Sequence, residues 1–241
     1  AAQTVSRFSL VLGISSALWF SVPLAYFATS PFYQKDFWHA LLAISLASAF
    51  PLSWLLMLVA IPSAGAPVLV PLLGVASSTL KVCHIRAAYA ASFWGGVHAA
   101  GELAYLASQN LLDLIFVFLD KGKGNWMDGR SDNLSFIFGF LLFVLLIFHM
   151  VHGFFRRRAC LAANFRRVHA GSAVVVLLVA TAHWWPFVIF LTPAVACAAA
   201  AQTVRVSSLP GVNSQIAALA LGTSIIGAVM GIVPVWAVRQ I

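Results

Sequence analysis

Residues 84–98 read HIRAAYAASFWGGVH and residues 169–183 read HAGSAVVVLLVATAH, so each stretch begins and ends on a histidine. Both stretches belong to long apolar segments, and fourteen residues separate the two histidines of each pair. In an α-helix, fourteen residues return to nearly the same face, roughly 40° short of four full turns, with a rise of about 21 Å. Each helix is therefore expected to present two imidazoles on one face, one near each end.

The composition indicates that the solvent of this chain is lipid. Of its 241 residues, 62% are hydrophobic and 8% are charged, whereas a soluble domain carries about 25% charged residues. A soluble core of this size has no room for so much apolar surface. The formal net charge is +8. We interpret it as basic residues that set the orientation of the chain in the membrane and contact anionic lipid. Nucleic-acid binding is excluded, because it requires a basic face on a soluble domain.

Apolar segments of roughly 20 residues, the length that crosses a bilayer, predict six transmembrane helices and a seventh near the C-terminal end. The expected fold class is an all-α integral membrane protein, a multi-pass bundle of six to seven transmembrane helices. A turn-rich break at Ile61 to Pro67 is expected between the second and third spans. The spans lie near residues 8–28, 38–60, 80–107, 134–155, 166–184, 187–204 and 213–238.

Basic residues predict the orientation of these spans. Nine of the fourteen Lys and Arg residues fall on one side, and five of the nine lie in the loop between spans four and five. The positive-inside rule makes this the inner side, although the sequence does not tell which membrane is crossed. The polar loop from Asp120 to Asn133 then lies outside.

The two histidine pairs predict two haem sites. One span separates the two histidine-bearing spans, so they run parallel, which sets His84 level with His169 inside and His98 level with His183 outside. Imidazole is a standard axial ligand of haem iron, and a histidine within a membrane is costly without a role. The haems are expected to be of b type because the sequence has no C-x-x-C-H attachment motif. The alternative is four unrelated core or interfacial histidines.

Three arginines on the inner side are candidate cofactor-binding residues, since a guanidinium pairs well with a haem propionate. They are Arg86, Arg166 and Arg167, and the alternative for each is an ordinary positive-inside position.

Other polar residues leave two interpretations open. His149 and His152 fit either a metal site or proton path, or plain interfacial positions. Glu102, a rare intramembrane acid, fits either proton transfer and tuning of the outer site, or a solvated position. His39 is expected to be structural. No catalytic residue is assigned.

The histidine-bearing stretches resemble a known family. Leu72 to Arg86, Gly96 to His98, and Asn164 to Pro186 are similar to the ferric reductase-like transmembrane domain. That family includes NADPH oxidases, ferric-chelate reductases and haem-binding membrane subunits of sulfoxide reductases. The resemblance covers roughly residues 45–205 and implies that the four histidines bind two haems b, in the same pairing, and carry electrons across the membrane. Ile85 separates His84 from Arg86, where family members often have His-Arg.

Many family members continue into a flavin and nicotinamide domain, and no stretch of this sequence resembles one. The expected role is therefore an oxidoreductase membrane subunit that takes electrons from a separate inner-side donor and passes them to an outer-side acceptor. The alternatives are a quinone-linked cytochrome b and a structural haem-bearing subunit of a larger membrane complex. The predicted parts are an N-terminal span and outer loop (1–44), a di-haem domain (45–205) and an additional C-terminal span (206–241).

The last predicted span contains Gly227 and Gly231 in a G-x-x-x-G spacing. In lipid this spacing lets two helices approach closely. It favours either docking against a partner redox protein or membrane complex, or packing within the chain's own bundle.

Overall fold

The computed structural model of this chain describes residues 2–110, 133–155, 164–184 and 187–207. These residues form six α-helices and no strand. The predicted all-α class is confirmed for this part of the chain. The helices are α1 (Ala2–Ala28), α2 (Phe37–Leu73), α3 (Ser77–Ser108), α4 (Asn133–Phe154), α5 (Phe165–His183) and α6 (Phe187–Ser207).

Three helices contain stretches that are long and apolar enough to cross a membrane: Phe8–Ala28, Phe37–Pro62 and Ile137–Phe154. A helix suits this environment because it bonds its backbone polar groups internally, where no water can replace those bonds. The chain is an integral membrane protein. The apolar stretches of α5 and α6, Arg167–His183 and Phe187–Gln202, are shorter, and the spanning of the bilayer by α3, α5 and α6 stays a prediction.

The predicted break at Ile61 to Pro67 is wrong, because α2 continues through it to Leu73. Each proline removes one amide donor and crowds the preceding turn of the helix, but a helix in lipid keeps its remaining backbone bonds because water cannot take their place. The helix ends instead at Gly74, whose φ of +60° is the left-handed conformation that terminates many helices and that glycine adopts without steric cost.

The first residues of α2 are held by an N-cap. The Asp36 carboxylate accepts a hydrogen bond from the backbone amide of His39 at 3.0 Å, and the Asp36 carbonyl accepts one from Ala40 at 3.1 Å. Nδ1 of His39 lies 2.9 Å from the same carboxylate oxygen. Acceptors at this position satisfy amides that have no partner within the helix. His39 therefore has the structural role that the sequence predicts.

By their contacts, the described residues divide into two units. Within the described ranges, the first unit comes from residues 2–19, 51–91 and 188–207, and the second from residues 20–50, 92–110, 133–155, 164–184 and 187. The first unit buries Leu12, Leu52, Leu55, Leu80 and Ala87. In the second unit α4 packs on α5, and the buried side chains include Leu42, Ala47, Leu106, Leu142 and Val176.

Two sequence predictions fall outside the described residues. These are the seventh span with its Gly227 and Gly231 spacing, and nearly all of the polar loop from Asp120 to Asn133. The division into 1–44, 45–205 and 206–241 stays a prediction.

Candidate functional site

The second unit brings the two predicted outer ligands, His98 of α3 and His183 of α5, together. Their ring centroids are 6.1 Å apart and the ring planes are inclined by 60°. An imidazole nitrogen binds a first-row metal at about 2 Å and the ring centroid lies about 1 Å farther, so one metal ion between two imidazoles holds their centroids about 6 Å apart. The separation of this pair therefore suits two axial ligands of one iron.

The tautomer of His98 follows from its hydrogen bond to α2. Nδ1 of His98 lies 2.9 Å from the carbonyl oxygen of Ser45. A carbonyl only accepts, so Nδ1 carries the hydrogen, and in the neutral ring Nε2 keeps the lone pair. Metal-binding histidines commonly donate their second ring nitrogen in this way, which orients the ring and raises its basicity.

Ser45 brings α2 into close contact with α3. It is fully buried, and its hydroxyl donates to the backbone carbonyl of His98 at 2.6 Å. A Cβ added to Gly101 would come within 2.6 Å of the Ser45 Cβ, a distance that forces the helices apart. Glycine at position 101 therefore permits the contact on which the His98 hydrogen bond depends.

Glu102 lies beside the same serine. Its Oε1 is 3.4 Å from the Ser45 hydroxyl oxygen. Burial, followed by the charge of Glu102, raises the pKa of the Tyr33 phenol, which belongs to the loop before α2. Glu102 is thus placed between the surroundings of His98 and this loop, and its role in proton transfer or tuning stays a prediction.

His183 approaches α4 at Gly139. A Cβ at position 139 would come within 2.8 Å of the His183 Cε1 and 3.1 Å of its Nδ1. The space for this imidazole therefore depends on the absence of a side chain at 139. The sequence signal for this role is a single glycine within the bulky run FIFGFLLFVLL of α4.

The predicted inner ligand His84 has the same arrangement as His98. In the first unit, its Nδ1 lies 2.9 Å from the carbonyl oxygen of Val59 in α2, so Nδ1 donates and Nε2 keeps the lone pair of the neutral ring. Its predicted partner, His169, belongs to the second unit. The pairing of His84 with His169 stays a prediction.

Aromatic rings surround His169. The His149 ring stacks on it with centroids 4.0 Å apart and planes within 19°, and Phe165 stacks at 4.8 Å and 21°. His152 is buried and stacks on Phe165 at 5.3 Å. Both histidines whose role the sequence left open therefore lie beside a predicted ligand.

A hydroxyl relay fixes the orientation of His149. Nδ1 of His149 lies 2.7 Å from the Ser172 hydroxyl oxygen, and that hydroxyl donates to the His169 carbonyl at 3.1 Å. Ser172 therefore ties the His149 ring to the backbone of α5 at His169. Ser172 was not predicted as a site residue, since only the packing of α4 on α5 brings it to His149.

The three candidate arginines differ in their surroundings. Arg86 is exposed and donates from Nη1 to the Ser9 hydroxyl at 2.7 Å. Arg167, in the first turn of α5, is exposed. The side chain of Arg166 lies outside what the structure describes. Propionate binding by these arginines stays a prediction.

Within the described ranges, no group of three or more His, Cys, Asp or Glu side chains is arranged to hold a metal ion. Haem does not require such a group, because its macrocycle supplies four ligands and the protein supplies the axial ones. Two imidazoles at the separation of His98 and His183 therefore fit this cofactor.

A family model described as the ferric reductase like transmembrane component matches residues 48–180. The match covers more than half of the chain. This chain belongs to the ferric reductase-like transmembrane family. His84, His98 and His169 lie within the matched residues, and His183 follows three residues after them. No curated protein and no solved structure matches the chain.

Membership of the ferric reductase-like family indicates transmembrane electron transfer. Domains of this family generally bind haem, in agreement with the donor chemistry of the histidine pair in the second unit.

Proposed function

We propose that this ferric reductase-like chain carries electrons across a membrane by means of two b-type haems, from a donor on the inner side to an acceptor on the outer side. His84 and His169 would bind the inner haem, and His98 and His183 the outer haem. The observation that carries the proposal is the His98–His183 centroid separation of 6.1 Å, together with the hydrogen bond that leaves Nε2 of His98 with its lone pair.

Haem, when bound, supplies an iron whose oxidation state changes by one electron. The chain's own residues determine where that iron is held and what surrounds it. The four histidine imidazoles would hold it, and the Ser45 and Val59 carbonyls would keep two of these imidazoles in the tautomer that leaves Nε2 with its lone pair.

The inner arginines are suited to the haem propionates. Arg86 follows His84 by two residues, and Arg167 precedes His169 by two residues. The exposed bond of Arg86 to Ser9 is a modest competitor, since a hydrogen bond to a neutral partner contributes about 1 kcal/mol net. A carboxylate forms stronger, charge-assisted bonds with the same guanidinium.

The electron donor in this proposal is a redox partner or a larger membrane complex outside these 241 residues. The acceptor is a species that reaches the outer end of α3, near Glu102 and the loop that contains Tyr33. The two haems would then carry electrons between a donor and an acceptor that lie on opposite sides of the membrane.

The test is the haem content and redox behaviour of the chain purified from its membrane with bound lipid. A pyridine haemochrome assay is expected to give about two haems per polypeptide, and both should be reduced and reoxidised reversibly. A chain that contains no haem would overturn the proposal. Haem that no inner-side reductant reduces would instead indicate a structural haem-bearing subunit.

A further inference from the structure

One helix supplies the hydrogen-bond acceptor for both candidate ligands of α3. Nδ1 of His98 lies 2.9 Å from the Ser45 carbonyl, and Nδ1 of His84 lies 2.9 Å from the Val59 carbonyl. The donors are fourteen residues apart on α3, and the acceptors are fourteen residues apart on α2, in the opposite chain direction. Each bond therefore joins α2 to α3 within its own unit.

The Ser45 and Val59 carbonyl oxygens can each accept more than one hydrogen bond. A backbone carbonyl oxygen has two lone pairs, so it can accept a bond from its own helix and a second one from an imidazole. Ser45 shows such sharing, because its carbonyl also accepts from the Ser48 hydroxyl at 2.5 Å. Both serines are fully buried, and an acceptor shielded from water holds its partner in one orientation.

We infer that α2 is the positioning helix of the site: the Ser45 and Val59 carbonyls hold His98 and His84 with Nδ1 protonated and Nε2 presented to iron, and the contact between Ser45 and Gly101 sets this alignment at His98. The inference rests on the proposed function for the role of Nε2. Neither carbonyl contacts the iron, so Ser45 and Val59 are positioning residues that act through the imidazoles.

A substitution at Gly101 should weaken the His98–Ser45 hydrogen bond and leave the His84–Val59 hydrogen bond intact. A side chain at position 101 would meet the Ser45 Cβ at 2.6 Å and the Leu41 carbonyl at 3.4 Å. The clash is with the Ser45 Cβ, which no side-chain rotation can move because it is bonded directly to the backbone, so α2 must move away and the His98–Ser45 bond must lengthen. Gly101 is seventeen residues from His84, about 25 Å along a helix, so the His84–Val59 hydrogen bond is expected to persist.

The first experiment compares midpoint potentials of the two haems in the complete chain carrying Gly101→Ala. Loss of the Nδ1 hydrogen bond makes His98 a weaker electron donor and stabilises ferric iron less. The potential of the outer haem, identified as the one missing in His98→Ala, should rise, and that of the inner haem should stay unchanged. The electron paramagnetic resonance signal of the same ferric haem should shift as well.

Two variants serve as controls. Gly13→Ala places a Cβ where no atom lies within 4 Å and should leave both potentials unchanged. Ser45→Ala removes the hydroxyl and keeps the carbonyl, so the outer potential should change less than in Gly101→Ala. Unchanged potentials in Gly101→Ala, or equal shifts in both haems, would overturn the inference.

A second experiment observes the two hydrogen bonds in the wild-type chain and uses variants only for assignment. Solid-state NMR on the wild-type chain in bilayers, with 15N in histidine and 13C in the serine and valine carbonyls, detects the nitrogen–carbonyl contacts directly. Contacts from Nδ1 of His98 and His84 are expected, each assigned by its loss in His98→Gln or His84→Gln. Absence of both contacts would refute the positioning role. A chain with these contacts but without haem would instead refute the proposed function.

Discussion

Gly139 and His183 are packed so closely that even one added carbon atom at position 139 would come within 2.8 Å of the His183 Cε1. Gly139→Ala must therefore displace the imidazole. We expect this variant to lose most of the outer haem and to keep the inner one, as measured by haem content and by the reduced-minus-oxidised spectrum.

The same helix provides a matched control for this substitution. A Cβ at Gly153 would meet the His169 Cε1 at 3.6 Å, an ordinary van der Waals distance. Gly153→Ala should therefore keep both haems. Equal haem contents in the two glycine variants would show that the space at Gly139 does not matter for His183.

Single histidine replacements should remove the haems in pairs. His98→Ala and His183→Ala are expected to abolish the same spectral component, because their rings are 6.1 Å apart. His84→Ala and His169→Ala should abolish the other component. His39→Ala should leave both components, since His39 bonds to Asp36 at the start of α2. Redox titration of each variant separates the components, and the pairing is wrong if His84→Ala and His169→Ala affect different haems.

His149 should influence the inner haem without being needed to hold it. Its ring stacks on His169 at 4.0 Å, and an aromatic pair of this kind contributes about 0.5–1.5 kcal/mol. His149→Ala should keep both haems, with a changed midpoint potential for the inner one. His149→Phe, which keeps a stacked ring, should change that potential less. A spectrum of His149→Ala that lacks one haem would make His149 a ligand itself.

The Asp36 cap makes the start of α2 sensitive to acid. The His39 backbone amide, followed by the His39 side chain, lowers the pKa of the Asp36 carboxyl below its ordinary value. A carboxyl whose pKa is lower in the folded state stabilises that state above its unfolded pKa, near 4, and loses this effect as the pH falls through its folded pKa.

Amide hydrogen exchange at Trp38 to Ala40 measures this dependence. Protection relative to an Asp36→Asn control should decline as the pH falls below about 4. Asparagine keeps a capping oxygen and does not titrate. If the ratio of amide protection between the wild-type chain and Asp36→Asn stayed constant across that range, the carboxylate charge would contribute nothing to the cap.

The sequence predicts the helical membrane class, because composition and segment length depend on local residue content alone. The fourteen-residue spacing within each histidine pair likewise predicts that His98 meets His183, since the helix repeat puts both members of a pair on one face and the two spans run parallel. The break at Ile61 to Pro67 was wrong for the opposite reason: prolines favour turns in water, whereas a helix in lipid keeps every backbone bond that it can form.

Contacts between helices could not be predicted in the same way. The bond of His149 to Ser172 requires the axial alignment and rotation of α4 against α5, and neither follows from the pattern of one helix. The close approach of Gly101 to Ser45 depends similarly on how α2 meets α3. A single sequence contains no measure of these two quantities.

The acceptors for His98 and His84 are main-chain oxygens, and this has a consequence for how the site can change over evolutionary time. Replacement of Val59 by another apolar residue leaves its carbonyl in place. The hydrogen bond that orients His84 therefore does not depend on which residue type occupies position 59. A search for invariant polar side chains around the ligands would therefore pass over it. Substitutions are instead restricted at residues that control the spacing between helices. Near His98, that residue is Gly101.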